Sequence, residues 1–212
     1  MTKVQVCGVQ SVEDALMCEA AGVDAIGFVS VEGRKRNVPL ERIKNIIGRL
    51  GPSIDSTLIG FPRTPQEFIE KGRSVGADVL QVYTLTAAEI GMLKESGFTV
   101  VRAVGIDSTT GRLELTVDQL KEMVAACDFV LFEPRTGGKI GGMGVRVDYV
   151  SILTPYINHC RRFSIAGGLT PDNVQEALKL GPYAVDVSSG VESDNGRKDP
   201  DKVRRFVKRC HV

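Results

Sequence analysis

The feature that most constrains the fold is an alternation of short apolar segments with longer amphipathic ones, repeated eight times along 212 residues. The short segments are rich in β-branched residues and apolar enough to be covered on both faces, as parallel strands are. The eight predicted strands are 3–7, 25–30, 56–61, 79–83, 99–105, 129–133, 162–166 and 184–188.

The longer segments between these strands have the apolar period of helices. The eight predicted helices are Val12–Ala21, Leu40–Leu50, Pro65–Val75, Ala87–Ser96, Val117–Ala126, Tyr149–His159, Pro171–Leu180 and Pro200–Arg209. Three of them begin with a capping side chain followed by proline, at Thr64-Pro65, Thr170-Pro171 and Asp199-Pro200. Glycines such as Gly76 and Gly181 fit the helix ends.

Eight strand–helix units in succession favour one architecture. Because consecutive parallel strands need a crossover of this length, the pattern predicts a closed (β/α)8 barrel, the TIM barrel, as a single domain over residues 1–212. An open doubly wound sheet is the alternative fold. Its first strand should lead into a Gly-x-Gly-x-x-Gly turn, whereas this chain has Cys7-Gly8-Val9-Gln10.

Composition and charge narrow the classes of function. Apolar residues make up 42% of the chain and charged residues 25%, so a buried core is expected and disorder is not. The formal net charge of +1 gives no general attraction to nucleic acid or to a membrane surface, and neither is predicted as a partner. The five cysteines are widely spaced without a Cys-x-x-Cys pair, which predicts neither a disulfide framework nor a metal site. With no recognisable targeting or membrane-spanning segment, we expect a reduced, cytoplasmic protein.

Two titratable residues stand at the carboxyl ends of predicted strands, where (β/α)8 barrels place their active sites. Cys7 ends the first strand, and its thiolate is a candidate general base; an inert small apolar residue is the alternative. Glu133 ends a very apolar strand, and its carboxyl is a candidate general acid. The alternative for Glu133 is an ion pair with an arginine or lysine, for which the chain offers Arg102, Arg135 and Lys139.

Anion-binding groups are predicted in three loops. Gly167-Gly168 follows the seventh strand and Ser188-Ser189-Gly190 the eighth, which is the usual phosphate position in these barrels, although tight turns alone would also use glycine. The glycine-rich segment 137–144 is either a mobile cover for the substrate or a plain linker. Arg36, in the basic run after the second strand, suits a substrate carboxylate, although a solvated surface run is equally ordinary.

Taken together, these residues resemble the phosphoribosylanthranilate isomerase family of tryptophan biosynthesis, and the similarity runs from end to end. The segments that carry it are Val6–Val9, Gly22–Val29, Lys35-Arg36, Leu80-Gln81, Arg102–Gly105, Gly141–Gly144, Ala166–Val174, Ala184–Glu192 and Gly196–Asp199. The segment Ala184–Glu192 is highly specific.

The resemblance implies an Amadori rearrangement of a small phosphorylated substrate without a cofactor. The ribosyl ring opens to a protonated imine, a C2′ proton leaves, and the enolamine tautomerises to a 1-deoxyribulose. It further implies that Cys7 is the general base and Glu133 the general acid. The implied substrate-binding residues are Arg36, Gln81, Tyr83 and Asp186, and the implied phosphate-binding residues are Gly142, Gly167, Gly168, Ser188, Ser189 and Gly190.

The sequence departs from the family pattern inside the implied site. The family usually has aspartate at the position of Glu133, histidine at Tyr83, threonine at Gln10 and lysine at Gln5. Two alternative functions therefore stay open: a related isomerase acting on another phosphorylated aminosugar, and a noncatalytic barrel that binds a sugar phosphate. The retained Cys7 argues against simple binding. We expect a monomer or a homodimer.

Overall fold

Eight parallel strands close into a barrel. The computed structural model describes residues 1–136, 139–140 and 147–211. Its strands are β1 (Lys3–Cys7), β2 (Ala25–Val29), β3 (Asp55–Gly60), β4 (Val79–Val82), β5 (Thr99–Asp107), β6 (Phe129–Thr136), β7 (Lys139–Ile140), β8 (Phe163–Ala166) and β9 (Ala184–Val187). The ring runs β5-β4-β3-β2-β1-β9-β8-β6 and closes through pairing of β6 with β5, while the short β7 is antiparallel to the end of β6.

Helices connect the barrel strands. They are α1 (Val12–Ala20), α2 (Leu40–Ile47), α3 (Pro65–Val75), α4 (Ala87–Glu95), α5 (Val117–Ala126), α6 (Tyr149–Ile157), α7 (Val174–Leu178) and α8 (Pro200–Cys210). The alternation of eight strands and eight helices among the described residues confirms the predicted single-domain (β/α)8 barrel. None of the described helices is long and apolar enough to cross a lipid bilayer.

The capping predictions are correct for two of the three Thr/Asp-Pro starts. The side chain of Thr64 accepts a hydrogen bond from the Glu67 amide, and that of Asp199 accepts from the amide of Lys202. The prediction of a helix from Pro171 is wrong, because α7 begins at Val174. Asn173 explains the delay: its side chain accepts from the Thr170 amide at 2.8 Å and donates to the Gly168 carbonyl at 2.8 Å, which holds the preceding residues in a turn.

Side chains alternate between two environments along each strand. Val4 and Val6 of β1 are fully buried in the main core between the sheet and the helices. A second, smaller apolar cluster fills part of the barrel interior and consists of Val79, Val101, Ala103, Leu131 and Ala166. Polar side chains also lie in the interior, where the Thr57 hydroxyl donates a hydrogen bond of 2.9 Å to Gln5. The barrel interior is therefore a place where buried polar groups must find partners.

Candidate active site

A pocket of about 320 Å³ opens at the carboxyl ends of the strands. The carboxyl ends of β1, β2, β3, β4, β6, β8 and β9, or the loops that follow them, contribute to it. Nine of the residues predicted from sequence line it together: Cys7, Arg36, Tyr83, Glu133, Gly167, Gly168, Asp186, Ser188 and Ser189. Gly142 lies outside the described residues, as does most of the glycine-rich segment.

Cys7 presents its thiol to this pocket from the end of β1. Burial raises its pKa well above the usual range, and the negative charges of Asp186 and Glu133 add to the increase. Lys198 and Arg36 oppose it with positive charge. The thiol is therefore protonated at neutral pH, and it needs an additional positive charge nearby to become a thiolate.

Glu133 lies across the pocket at the end of the barrel interior and is 6% exposed. The Tyr83 hydroxyl donates a hydrogen bond to Oε2 of Glu133 at 2.8 Å. Of the three cations predicted as alternative partners, Arg102 and Arg135 pair with Glu114, at 3.5 Å and 2.6 Å, and the side chain of Lys139 lies outside the described part of the structure. The carboxyl group of Glu133 is thus held by a neutral donor on its Tyr83 side.

Asp186 occupies the floor of the pocket. Burial raises its pKa to about 7, the charge of Glu133 adds to the increase, and a hydrogen bond from Gln5 and the charge of Lys198 oppose it. One oxygen, Oδ1, is buried without a hydrogen-bond partner among the described residues. Asp186 can therefore exchange a proton near neutral pH, and its unsatisfied oxygen is available to a ligand or to water.

Arg36 is fixed in place by Glu192. Nε of Arg36 donates to Oε1 of Glu192 at 2.6 Å, and Nη2 donates to Oε2 at 2.8 Å. Nζ of Lys198 donates to the same carboxylate at 2.9 Å. Burial alone would raise the pKa of Glu192, but the Arg36 hydrogen bond and the Lys198 charge outweigh it and hold the pKa at about 2. The guanidinium therefore enters the pocket already oriented, and no described residue bonds its Nη1.

Gly8 makes room for this arginine. A Cβ atom at Gly8 would lie 2.4 Å from Cδ of Arg36, and its φ of +73° is left-handed. Glu192 and Lys198 were not singled out from sequence as site residues, although both fall in segments that carry the family resemblance. Spacing gives no signal for the bond between Arg36 and Glu192, because these residues are 156 positions apart.

Two loops present free backbone amides. Gly167 and Gly168 both have left-handed φ, of 89° and 61°, and a single 3-10 turn, Ser189–Val191, follows β9. The N–H groups of Gly168, Ser189 and Gly190 donate no hydrogen bond to any described residue. Amides in such turns bind anions, because their partial positive charges point at one place.

Gly190 sets the distance between these loops. A Cβ atom at this position would lie 1.8 Å from the carbonyl oxygen of Leu169, so the loops after β8 and β9 touch through the bare glycine. No other residue type fits there without moving backbone. The loop after β9 therefore depends on the position of the loop after β8.

Gln81 lies beneath the pocket rather than on its wall. Its side chain is 1% exposed and faces a second cavity, of about 300 Å³, at the amino ends of the strands. Direct contact between Gln81 and a substrate stays a prediction, and the observed bonds of its amide are to Tyr83 and Gln5. The described residues hold no group of three His, Cys, Asp or Glu side chains able to ligate a metal ion.

The closed barrel and the grouping of acid–base and anion-binding residues at its strand ends define this chain as a (β/α)8-barrel enzyme. It belongs to the N-(5'-phosphoribosyl)anthranilate isomerase family, whose model matches residues 4–209. A relative named N-(5'-phosphoribosyl)anthranilate isomerase from Rubrobacter xylanophilus is 34% identical over 209 residues, covering 98% of each chain.

Solved structures agree with this assignment. Phosphoribosyl anthranilate isomerase from Thermus thermophilus superposes with a TM-score of 0.86 at 26% identity, covering 99% of this chain and 98% of its own. A phosphoribosyl anthranilate isomerase in complex with reduced 1-(o-carboxyphenylamino)-1-deoxyribulose 5-phosphate superposes with a TM-score of 0.82 at 27% identity, covering 100% and 99%.

Proposed function

We propose that the protein converts N-(5'-phosphoribosyl)anthranilate to 1-(2-carboxyphenylamino)-1-deoxyribulose 5-phosphate, a step of tryptophan biosynthesis. The observation that carries this proposal is the meeting of the Cys7 thiol and the Glu133 carboxyl in one pocket, beside two loops with free amides. Membership of the isomerase family over residues 4–209 supports the same substrate.

The geometry suggests how the substrate lies. Its phosphate would bind the amides of Gly168, Ser189 and Gly190, which stabilise a dianion without a net protein charge. Its anthranilate carboxylate would bind Arg36, whose guanidinium Glu192 already orients. The ribose would then lie between Cys7 and Glu133.

The proton transfers follow from this placement. Glu133 gives its proton to the ring oxygen, the C1′–O bond breaks, and the nitrogen lone pair forms the C1′=N bond of a protonated imine. That positive charge stabilises the thiolate of Cys7 and offsets the raised pKa of the thiol, whose proton passes to the Asp186 carboxylate. Cys7 then takes the C2′ proton, and the C–H electron pair forms the C1′=C2′ bond and neutralises the nitrogen. The enolamine takes up a proton at C1′ and loses its C2′ hydroxyl proton to give the ketone.

The test is the loss of substrate fluorescence when freshly made N-(5'-phosphoribosyl)anthranilate is mixed with the purified protein. We expect turnover without an added metal or cofactor. Binding of the reduced product analogue with no turnover would instead favour the noncatalytic sugar-phosphate barrel. Turnover of another phosphorylated aminosugar alone would favour the related isomerase.

Gly190→Ala should raise KM at least about tenfold, because the added methyl group forces the two phosphate loops apart and one lost charged hydrogen bond costs about 1.5–3 kcal/mol. Steady-state kinetics measure this effect, and Gly91→Ala is the matched control, since its added Cβ would meet no atom within 4 Å. An unchanged KM in Gly190→Ala would contradict the phosphate assignment.

Glu192→Gln should also raise KM, by roughly tenfold, because Arg36 loses the charged partner that orients it. The expected change in kcat is smaller, since Arg36 is proposed to hold a group that does not react. Glu13→Gln makes the same chemical change at an exposed position, 3.9 Å from Arg197, and should leave both constants unchanged. A fall in kcat with constant KM would show that Glu192 acts elsewhere.

We further propose that the enzyme works in the cytoplasm as a monomer or a homodimer. The five cysteines are all free thiols, as a reducing compartment requires. Size-exclusion chromatography with light scattering decides between the two assembly states.

A further inference from the structure

We propose that Tyr83 is a positioning residue that holds the Glu133 carboxyl for proton transfer, and that Tyr83 is itself held by a hydrogen-bonded chain that crosses the barrel interior from Thr57. This inference rests on the proposed isomerase function. It differs from the sequence-based expectation that Tyr83 binds the substrate directly.

The contact between Tyr83 and Glu133 is short and has a defined direction. The phenol oxygen lies 2.8 Å from Oε2 of Glu133. Burial and the charge of Glu133 raise the pKa of Tyr83 well above its usual range, so the phenol keeps its proton and acts as the donor. A donor fixed on Oε2 sets the rotation of the carboxyl group and makes its two oxygens inequivalent.

The Tyr83 ring is itself immobilised from two sides. It stacks on Phe61 with the ring centroids 4.5 Å apart and the planes 13° from parallel. The Gln81 amide nitrogen lies 3.4 Å from the phenol oxygen and donates to it. A side chain restrained by both a stacked ring and a hydrogen bond loses little further entropy when it holds a partner.

The chain continues from Gln81 on β4 to Gln5 on β1, and from there to Thr57 on β3. The Gln5 amide nitrogen donates to Oε1 of Gln81 at 3.5 Å, and the Thr57 hydroxyl donates to Oε1 of Gln5 at 2.9 Å. In the order Thr57, Gln5, Gln81 and Tyr83, each side chain donates to the next one, and the last donates to Glu133. Aligned hydrogen bonds polarise one another, so the last donor is the one the whole chain strengthens.

Other titratable groups also face Glu133. None of their described contacts is a hydrogen bond to its carboxyl group like that of Tyr83. Cys7, Asp186 and Tyr149 interact with it through charge. The hydroxyl of Tyr149 donates instead to the carbonyl oxygens of Ala166 and Gly167. Tyr83 is thus the phenol that has a hydrogen bond to give to the Glu133 carboxyl.

The test is a double-mutant cycle of Tyr83→Phe and Glu133→Asp on the purified enzyme with N-(5'-phosphoribosyl)anthranilate. Tyr83→Phe keeps the ring stacked on Phe61 and removes only the donor, so kcat should fall about 10- to 30-fold, the scale of one hydrogen bond to a charged group, with KM changed less than about threefold. Glu133→Asp withdraws the carboxyl from the phenol by on the order of 1 Å. In the aspartate background, Tyr83→Phe should therefore cost about twofold or less.

A pH profile separates positioning from a general structural role. The alkaline limb of kcat, where the general acid loses its proton, should move up by about one pH unit in Tyr83→Phe, because a donor that stabilises the carboxylate is gone. Thr57→Val, far from the pocket, should lower kcat about two- to fivefold with KM unchanged, since it weakens the chain at its start. Tyr156→Phe removes a phenol outside the chain and should change neither constant.

The outcomes are distinct. Additive effects of the two substitutions, an unmoved alkaline limb, or a raised KM with normal kcat in Tyr83→Phe would each overturn the positioning role, and the last would show direct substrate binding instead. If Tyr83→Phe does not fold, the pH profile of Thr57→Val decides, and an unmoved limb with wild-type kcat refutes the chain. No turnover by the wild-type protein would refute the proposed function itself.

Discussion

Cys7→Ala and Glu133→Gln should each lower kcat/KM by at least about 10²-fold, the scale of removing a general base or a general acid. The thiol and the carboxyl line the same pocket, and each is proposed to transfer a proton to or from the substrate. Neither variant should lose affinity for the reduced product analogue by more than about threefold, because both groups act mainly in the transition state.

The control for Cys7→Ala is Cys160→Ala, which removes a partly buried thiol outside the pocket. Its kcat/KM should equal that of the wild type. Equal rates for wild type, Cys7→Ala and Glu133→Gln would refute both role assignments, whereas a loss confined to one variant would leave the other role without support.

Asp186→Asn should make the protein more stable at pH 8, in the direction opposite to most substitutions of buried residues. The pKa of Asp186 is about 7 in the folded protein, and the usual pKa of an aspartate in an unfolded chain is 3.8. Between these two pH values the folded state binds more protons than the unfolded state, so this group makes the free energy of unfolding fall as pH rises through that window. The full loss above pH 7 is on the order of 4 kcal/mol, and asparagine does not titrate.

Urea unfolding at pH 5 and pH 8 measures the effect. The decrease between the two pH values should be smaller in Asp186→Asn than in the wild type by a few kcal/mol. Asp55→Asn is the control, because it makes the same chemical change in a carboxylate that is half exposed and paired with Lys3. An identical pH dependence in wild type and Asp186→Asn would show that the carboxyl is charged in the folded protein.

The architecture was predictable because strand–helix alternation is a local property of the sequence. All eight barrel strands were predicted, and the errors lie at the strand ends. β5 continues to Asp107 and β6 to Thr136, beyond the predicted residues 105 and 133. The late start of α7 depends on a side-chain contact between Asn173 and Gly168. Threonine followed by proline indicates where a helix can begin. It does not show whether a later side chain holds the same residues in a turn instead.

The site was predictable only as a set of strand-end residues. Cys7 and Asp186 share a pocket because parallel strands of a barrel all end at one rim. The hydrogen-bond partners of Arg36 and Glu133 were not predictable, since the bond from Arg36 to Glu192 spans 156 positions and that from Tyr83 to Glu133 spans 50. Such contacts depend on register and side-chain length, which spacing alone does not reveal.

The seam between β1 and β9 has a consequence for biosynthesis of the enzyme. Lys3 pairs with Ala184, and Gln5 pairs with Asp186, so β1 needs β9, which is synthesised much later than β1, to complete its pairing. At a synthesis rate of about 5–20 residues per second, β1 waits roughly ten seconds or more for its neighbour to leave the ribosome. During that interval β1 has a bare edge, and the thiol at its tip has no phosphate loop beside it. A nascent chain of this kind should therefore be inactive, and its β1 edge open to wrong pairing, until β9 has left the ribosome.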